Sequence, residues 1–115
     1  MEHTLPLKSN GDFRRMYAKA GSTAGSCVVL FLRRNRKGFS RLGLTVSSKL
    51  GNAVHRNRMR RRMKEAYRLI EVTLPSGYDI VLVARSGAYH APFKELQLEI
   101  ARLFGRQLKQ PVKKS

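Results

Sequence analysis

Seven basic side chains fall within thirteen positions near the middle of the chain, and their chemistry suits the binding of phosphate groups. They are Arg56, Arg58, Arg60, Arg61, Arg62, Lys64 and Arg68. With Glu65 as the only acid among them, the segment carries a net charge of +6. Like charges this close on a helix repel by roughly 0.2–0.5 kcal/mol per pair, but a guanidinium group can grip two phosphate oxygens at once. The cluster therefore indicates nucleic-acid binding, and the alternative is a solvated basic face that only aids solubility.

The whole chain shares this excess of positive charge. Twenty-four Lys and Arg residues face seven Asp and Glu residues in a chain of 115, which gives a net charge of +17. Such a chain repels itself unless a polyanion lies against it, so nucleic acid is the first candidate partner and an anionic membrane surface the second. No run approaches the ~18 apolar residues of a spanning helix. Residues 1–6 lack the basic start and apolar core of a signal peptide. We expect a cytoplasmic protein with no membrane partner.

The composition of the basic segment favours RNA over DNA. A helix that reads DNA bases mixes Arg with Asn, Gln and Ser. This segment is almost purely cationic, which is typical of proteins that recognise the phosphates and shape of structured RNA. We therefore expect no DNA partner.

The residues that could catalyse a reaction unaided form no recognisable pattern. None of the seven acids forms a close pair of the Asp-x-Asp kind, which argues against a metal-dependent nuclease. Glu95 and Glu99 are four positions apart, and we interpret them as a solvated helix face. The single Cys27 can form neither an internal disulfide nor a cysteine zinc site, and we predict that it is a small core residue. The sequence predicts no catalytic residue, no metal site and no cofactor bound by the protein itself.

A short helix is predicted near the start of the chain. Ser9 can cap it, with Asp12 as the reciprocal partner. One face of this helix carries four residues at helical spacing: Phe13, Met16, Tyr17 and Ala20. Gly21 suits its end.

Three strands are predicted to form a small sheet. Residues 28–33 and 42–47 flank a polar, Gly-containing turn, which predicts an antiparallel hairpin. Residues 78–85 have a continuous apolar middle at 80–84, which indicates an inner strand buried on both faces.

Two longer helices complete the predicted fold. The central helix begins between Asn52 and Asn57 and runs to about Glu71. Its predicted buried stripe is Met59, Met63, Ala66, Tyr67 and Ile70. The last helix begins near Pro92, with a core stripe of Phe93, Leu96, Ile100, Leu103 and Phe104. The order helix, strand, strand, helix, strand, helix predicts an α+β fold, a mixed β-sheet packed with helices. We expect one RNA-binding domain over residues 1–108 and a flexible basic tail over 109–115.

The basic segment and its lead-in resemble a known family. Residues 48–64 read Ser-Lys-Leu-Gly-Asn-Ala-Val-His-Arg-Asn-Arg-Met-Arg-Arg-Arg-Met-Lys. This is similar to the signature of the bacterial ribonuclease P protein component, and Gly-Asn-Ala-Val followed by Arg-Asn-Arg is its specific part. Asp12-Phe13 and residues 43–47 and 78–85 also match segments of that family. The resemblance extends from about residue 5 to about residue 109.

The resemblance implies a function and a fold. The family assists a catalytic RNA, which uses Mg²⁺ to remove the 5′ leader from precursor tRNA, so the protein is a non-catalytic subunit of an endoribonuclease. The implied fold is like domain 2 of ribosomal protein S5, with an unusual left-handed strand–helix–strand crossover, against the usual right-handed rule. The residues expected to bind the RNA subunit are Lys49, Asn52, Arg56, Asn57, Arg58, Arg60, Arg61, Arg62, Lys64 and Arg68.

Aromatic residues suggest a second binding surface, for the single-stranded leader. Such strands are held by base stacking on aromatic rings within a positive groove, and Phe13, Tyr17 and Phe31 match the family's cleft by position. Val29 and Thr45 are further candidates, chosen by strand alternation. The alternative is that Phe13 and Tyr17 are core residues. The family often has basic residues before the first helix, and here Lys8 is the only one in that region.

Two other classes of function compete with this interpretation. A ribosomal or RNA-assembly protein without a catalytic partner would share the charge and the small α+β fold. A self-sufficient ribonuclease would cleave RNA without an RNA partner.

Overall fold

The strand with the continuous apolar middle lies at the centre of a five-stranded sheet. In the computed structural model, which describes residues 4–112, this strand is β5. The strands are β1 Thr4–Pro6, β2 Gly21–Ala24, β3 Val28–Arg34, β4 Ser40–Thr45 and β5 Tyr78–Ala84, in the spatial order β1-β4-β5-β3-β2. β5 is parallel to β4 and antiparallel to β3. The prediction of an inner strand is therefore confirmed, and so is the mixed α+β fold class.

Within residues 4–112, four helices accompany the sheet, and the two long ones agree with the predicted elements. The helices are α1 Asn10–Lys19, α2 Ala53–Ile70, α3 Gly87–His90 and α4 Phe93–Leu108. Short 3₁₀ turns at Ser48–Leu50 and Glu71–Thr73 flank α2. α2 connects the parallel neighbours β4 and β5, so the strand–helix–strand unit is present. The left-handed crossover stays a prediction.

The predicted hairpin of residues 28–33 and 42–47, which correspond to β3 and β4, is wrong. β3 and β4 do not pair with each other, because β5 lies between them and pairs with both. The turn between them is long enough to step over one strand. It bonds instead to the start of β5, where the Asn35 amide donates to the Gly77 carbonyl at 2.8 Å. This arrangement gives β5 a neighbour on each side, whereas the local turn signal could not reveal a strand that enters from much later in the chain.

Two short edge strands and one short helix were not predicted. β1 pairs in parallel with β4, and β2 pairs antiparallel with β3. The first helix stops where expected, since it ends at Lys19 with Ala20 as its C-cap, and the next residue, Gly21, already begins β2. Both strands are too short to give a periodic signal.

The main hydrophobic core lies between the sheet and the helices α2 and α4. The predicted stripe of α2 is confirmed, since Met59, Met63, Ala66, Tyr67 and Ile70 are the buried residues of that helix. Cys27 is buried in the same core, as predicted. The stripe of α4 is buried except for Phe93, which is half-buried and packs against the core. Burial raises the pKa of Tyr67 to about 12, and its hydroxyl forms a 2.8 Å hydrogen bond with Thr4 Oγ1, which joins β1 to α2.

Glu99 is not on a solvated face, so that part of the sequence interpretation is wrong. Its side chain is buried, and its carboxylate accepts hydrogen bonds from the amides of Ser26, Cys27 and Val28 at 3.0, 2.7 and 2.9 Å. The Ser26 hydroxyl donates a fourth at 3.0 Å. A Cβ at Gly25 would come within 2.4 Å of this carboxyl group. The helical spacing of the sequence indicates this burial, because position 99 falls on the α4 stripe between Leu96 and Ile100. Glu95 is exposed as expected.

The end of the described chain returns to the body of the protein. Lys109 ends α4 in the left-handed conformation, and the Gln110 amide donates to the Gly105 carbonyl at 3.1 Å. Val112 packs against the main core. Residues 1–3 and 113–115 lie outside the described residues, so the domain boundary at 108 and the flexible tail stay predictions. No helix within residues 4–112 is long and apolar enough to cross a membrane.

Replacing Glu99 with glutamine should destabilise the fold. The Glu99→Gln side chain would keep one acceptor oxygen and turn an amide NH₂ group toward two of the four donors that now share the carboxylate. Because hydrogen bonds to a charged acceptor contribute about 1.5–3 kcal/mol each, we expect the free energy of unfolding to fall by about 2–3 kcal/mol. The measurement is urea denaturation, with Glu95→Gln as the matched control, expected within about 0.5 kcal/mol of wild type. Equal stabilities for the two variants would contradict the described role of Glu99.

Candidate nucleic-acid interface

The buried stripe of α2 directs its basic side chains away from the core. Because five positions of this helix face the sheet, the basic positions between them face outward. Arg58, Arg61, Lys64 and Arg68 are exposed, and Arg56 and Arg60 are half-buried. The helix therefore presents a dense cationic surface, which we call the basic face and define as Arg56, Arg58, Arg60, Arg61 and Lys64.

A tight lead-in fixes where α2 begins. The Asn52 side chain accepts a hydrogen bond from the His55 amide at 3.0 Å, which makes Asn52 the N-cap. Gly51 before it has φ +142°, and a Cβ at this position would come within 2.9 Å of His55 Cβ. This approach requires glycine. Exposed Lys49 lies in the preceding 3₁₀ turn, so the lead-in places one more cation beside the start of the basic face.

Internal contacts hold several of the predicted RNA-binding side chains. Arg56 Nη1 donates to the Gly51 carbonyl at 2.8 Å, and Arg60 Nη1 donates to Asn57 Oδ1 at 3.2 Å. Arg68 forms an ion pair with Glu65 at 2.6 Å, and this hydrogen bond holds the pKa of Glu65 below its usual range. Arg68 is thus already paired with an acid on its own helix.

Arg62 has a structural role that its sequence position does not reveal. Its Nη1 donates to the carbonyls of Ala88 and Tyr89 at 2.6 and 2.7 Å, and its Nη2 donates to the carbonyl of Ala91. These carbonyls lie at and just beyond the C-terminal end of the short helix α3, where a cation is favoured. Burial lowers the pKa of Arg62. Arg62 therefore fastens α3 to α2, and its contact with RNA stays a prediction.

A cluster of aromatic rings beside the basic face was missed at the sequence level. The Tyr89 ring lies edge-on to His55 at 4.8 Å and to His90 at 5.1 Å. The Arg58 guanidinium lies 5.6 Å from the centre of the same ring. Nothing local in the sequence connects His55 with a residue more than thirty positions later.

The predicted cleft residues meet on the sheet face opposite the main core. Strand pairing puts Val29, Val83 and Thr45 in one row, and Phe31 lies in the next row with Val81. α1 lies against this face, where the Tyr17 ring is 5.1 Å from Phe31. We call the surface formed by Phe13, Tyr17, Val29, Phe31 and Thr45 the aromatic cleft. Val83 belongs to it as well and was missed, although the alternation of β5 would have placed it there.

Tyr17 and Phe13 have different roles in the aromatic cleft. Tyr17 is 42% exposed, and its hydroxyl forms a 2.7 Å hydrogen bond with Thr45 Oγ1. Phe13 packs against a small second core of Leu7, Met16 and Val81. A Cβ at Gly43 would come within 2.5 Å of the Phe13 ring. Phe13 is therefore partly a core residue, as the alternative interpretation expected. Tyr17 is not, because its ring is exposed at the surface.

An ion-pair network lies at the other end of the same sheet face. Arg41 grips Asp79 through two hydrogen bonds of 2.8 and 2.6 Å and reaches Asp12 at 3.3 Å. Asn35 also donates to Asp79, at 2.8 Å. Burial acts to raise the pKa of Asp79, but the hydrogen bonds from Arg41 and Asn35 outweigh it and hold the pKa below its usual range. The network attaches α1 and the 35–39 loop to the sheet.

Within residues 4–112, no group of three or more His, Cys, Asp or Glu side chains is placed to hold a metal ion.

Comparison with known proteins gives one family. The family model described as Ribonuclease P matches residues 1–108. The ribonuclease P protein component of Clostridioides difficile is 42% identical over 104 residues, covering 90% of this chain and 91% of that protein. The corresponding protein of Alkaliphilus metalliredigens is 38% identical over 103 residues, covering 90% and 93%.

Solved structures agree with these relatives. The RNase P protein of Staphylococcus aureus superposes with a TM-score of 0.74 at 34% identity, covering 86% of this chain and 96% of that one. The RNase P protein of Thermotoga maritima superposes with a TM-score of 0.79 at 28% identity, covering 88% and 96%.

Replacing Asp79 with asparagine should destabilise the protein in a pH-dependent way. Because the folded pKa of Asp79 is lowered, its ionised form adds stability above the unfolded pKa of about 4, and this stability is lost as the pH falls through the folded value. We expect Asp79→Asn to lose about 2 kcal/mol at pH 7, since Arg41 would keep a half-buried charge without its bidentate partner. The difference from wild type should shrink below about pH 4.

The measurement is urea denaturation across this pH range. Glu65→Gln, which breaks an ion pair on the helix surface, is the control and should leave the pH dependence close to that of wild type. A constant difference between Asp79→Asn and wild type at every pH would contradict the described network.

Proposed function

The chain belongs to the ribonuclease P protein family, and from this premise we propose that it is the protein subunit of a bacterial ribonuclease P. In this role it binds a catalytic RNA and the 5′ leader of precursor tRNA. It thereby assists removal of the leader, which gives the mature 5′ end of the tRNA.

The basic face of α2 is the observation that carries the RNA-subunit part of the proposal. Its side chains project from one rigid helix, whose buried stripe fixes their direction and whose Gly51-Asn52 lead-in fixes its start. Arg58, Arg61 and Lys64 are exposed, so they can reach phosphates without breaking the fold. Together with Lys49, these cations form a surface suited to a folded RNA, whose shape is recognised mainly through its backbone.

The aromatic cleft supports the leader part of the proposal. A single strand is held by stacking of its bases on exposed rings, at about 1–3 kcal/mol per base. The partly exposed Tyr17 ring is supported from below by Phe31 and is held in place by its hydrogen bond to Thr45. This fixed ring offers one stacking surface to a leader base, and Val29 and Val83 form the apolar floor beside it.

We propose that the hydrolysis itself is carried by the RNA partner, with Mg²⁺ held there. Four of the carboxylates on this chain have structural partners. Asp12 and Asp79 pair with Arg41, Glu65 pairs with Arg68, and Glu99 caps backbone amides. The expected cytoplasmic location stays a prediction.

Reconstitution separates this proposal from its two rivals. The pure protein should stimulate cleavage of precursor tRNA by the catalytic RNA at low Mg²⁺, where repulsion between RNA strands is least screened. A ribosomal or assembly protein would give no stimulation. A self-sufficient ribonuclease would cleave after rigorous removal of RNA, and either result would overturn the proposal.

The basic face can be tested by removing two of its exposed charges. Arg61→Gln combined with Lys64→Gln should weaken binding of the catalytic RNA about tenfold and reduce the log–log salt slope by about 1.5, because each neutralised phosphate contributes about 0.7–0.9. The control is Lys94→Gln with Arg102→Gln, which removes the same charge from exposed positions on α4. Binding titrations at several salt concentrations make the comparison. Identical slopes for the two double variants would rule out specific contacts by the basic face.

The aromatic cleft can be tested at Tyr17. Tyr17→Ala should weaken binding of precursor tRNA to the assembled holoenzyme about tenfold through loss of one stacked base, while leaving the affinity for mature tRNA unchanged. Tyr17→Phe keeps the ring and loses only the hydrogen bond to Thr45, so it should remain close to wild type. The measurement is equilibrium binding of both tRNA forms. Equal weakening of both forms by Tyr17→Ala would show a structural role instead.

A further inference from the structure

The short helix α3 rests on one side of α2. Three residues of α2 at helical spacing, His55, Arg58 and Arg62, face it. His55 and Arg58 lie 4.8 and 5.6 Å from the centre of the Tyr89 ring, and Arg62 donates to three carbonyls at the end of α3. We call this contact region the α2–α3 junction and define it as His55, Arg58, Arg62, Tyr89 and His90.

The Tyr89 ring supports two exposed planar groups. The ring is half-buried and packs against the main core, so its position is fixed from below. The His90 ring lies edge-on to it at 5.1 Å, and the Arg58 guanidinium lies 5.6 Å from its centre. Both His90 and Arg58 are exposed. The junction therefore presents an imidazole and a guanidinium side by side at the surface of the protein.

Arg58 keeps its charge available at this place. Within the described part of the chain it forms no ion pair with an acid. Its contact is with the Tyr89 ring, and a cation over a ring retains its full charge and its hydrogen-bond donors. Arg61 and Lys64 of the basic face offer charge alone, whereas Arg58 offers charge next to the exposed ring of His90.

The position of α3 is fixed at both of its ends. At its start, a Cβ on Gly87 would come within 2.7 Å of the Ser26 carbonyl, so the helix lies directly against the beginning of β3. At its end, the half-buried Arg62 holds three carbonyls. Tyr89 and His90 are therefore ordered before any ligand arrives, which reduces the entropy that binding would cost.

The chemistry of the junction suits a nucleotide whose base is unpaired. Phosphates need only charge and hydrogen-bond donors, which the basic face supplies along its whole length. Unpaired bases of folded RNA instead stack on aromatic rings, histidine included, and on guanidinium planes. An exposed ring beside an exposed arginine meets both needs of one nucleotide.

We propose that the α2–α3 junction binds one unpaired nucleotide of the catalytic RNA, whose base stacks on His90 and whose phosphate is held by Arg58. The identity of this RNA rests on the proposed function. The junction adds a base contact to a surface that otherwise grips the backbone, so it favours an RNA with an unpaired base at this point. Tyr89 and Arg62 are positioning residues, because they act through His90 and Arg58.

Two substitutions of His90 test the stacking contact. His90→Asn removes the ring and should weaken binding of the catalytic RNA about tenfold, with the log–log salt slope unchanged, because stacking releases no counterions. His90→Phe is the matched control. It keeps a ring without the imidazole nitrogens and should bind like wild type. The measurement is a binding titration at several salt concentrations.

The position is exposed, so both variants should fold like wild type, as circular dichroism can verify. Equal losses in His90→Asn and His90→Phe would show that the imidazole nitrogens matter and not the ring. Wild-type affinity in both would show that His90 touches no RNA. Either result overturns the inference.

Chemical probing of the RNA bases identifies the stacked nucleotide. With the catalytic RNA saturated by wild-type protein, dimethyl sulfate, kethoxal and carbodiimide should leave one unpaired base protected. The same base should become reactive when the RNA is saturated by His90→Asn, while the protection of the backbone from hydroxyl radicals stays the same. If no base depends on the His90 ring for its protection, the inference is overturned.

Arg62→Met tests the positioning role. Methionine keeps an apolar stem but donates to no carbonyl, so α3 should lose its fixed place and the affinity should fall several-fold with an unchanged salt slope. Adding His90→Asn to this variant should cost little more, because both changes remove the same contact. A slope reduced by about 0.7–0.9 would instead make Arg62 a direct phosphate contact. Full additivity of the two changes, or that reduced slope, would overturn the positioning role.

The outcome also separates this inference from the proposed function. If the wild-type protein neither binds nor stimulates the catalytic RNA, the proposed function fails and the inference fails with it. If the wild-type protein does both and the two His90 variants equal it, only the inference fails.

Discussion

Mutual repulsion among its cations is the constraint on which the rest of this structure depends. A chain of 115 residues with a net charge of +17 must hold its fold against that repulsion. The cost is highest on α2, where successive turns carry arginine on the solvent side. The buried stripe of α2 and its Asn52 cap stabilise the helix, and neither of them depends on the charged residues. A rigid apolar attachment on one side thus permits a dense cationic surface on the other.

Charged groups also contribute to the folded structure where they meet partners inside it. Glu99 accepts hydrogen bonds from three backbone amides at the start of β3, and Arg62 donates to three carbonyls at the end of α3. Asp79 forms a bidentate ion pair with Arg41. Each of these groups joins segments that are distant in the chain. Removing one partner from such a contact leaves a charge with little access to water, so these side chains matter more for stability than exposed ion pairs do. The exposed cations are correspondingly available for RNA.

The features that the sequence predicted well are those with a local cause. The α2 stripe follows from helical periodicity, and the central place of β5 follows from its uninterrupted apolar run. The sequence limited the start of α2 to the range 52–57, and the structure places the cap at Asn52. The features that it did not predict depend on contacts between distant residues. Nothing near Arg34 shows that β5 will enter beside β3, and nothing near Arg62 shows that the carbonyls of α3 will lie within its reach. The same holds for the site: the basic segment was visible in composition, whereas the contact of Tyr89 with Arg58 arises only when the helices assemble.

The central claim is that the basic face binds a folded RNA through its phosphates, and the salt dependence of that binding tests it most directly. Arg68 is paired with Glu65, and Arg62 is held by three carbonyls. Arg56 and Arg60 each donate a single bond to an uncharged acceptor, so their charges stay available. The five cations of the basic face and Lys49 therefore give about six contacts, and the wild-type protein should bind the catalytic RNA with a log–log salt slope of about −4 to −5. A slope near zero over the same range of salt concentrations would contradict the account.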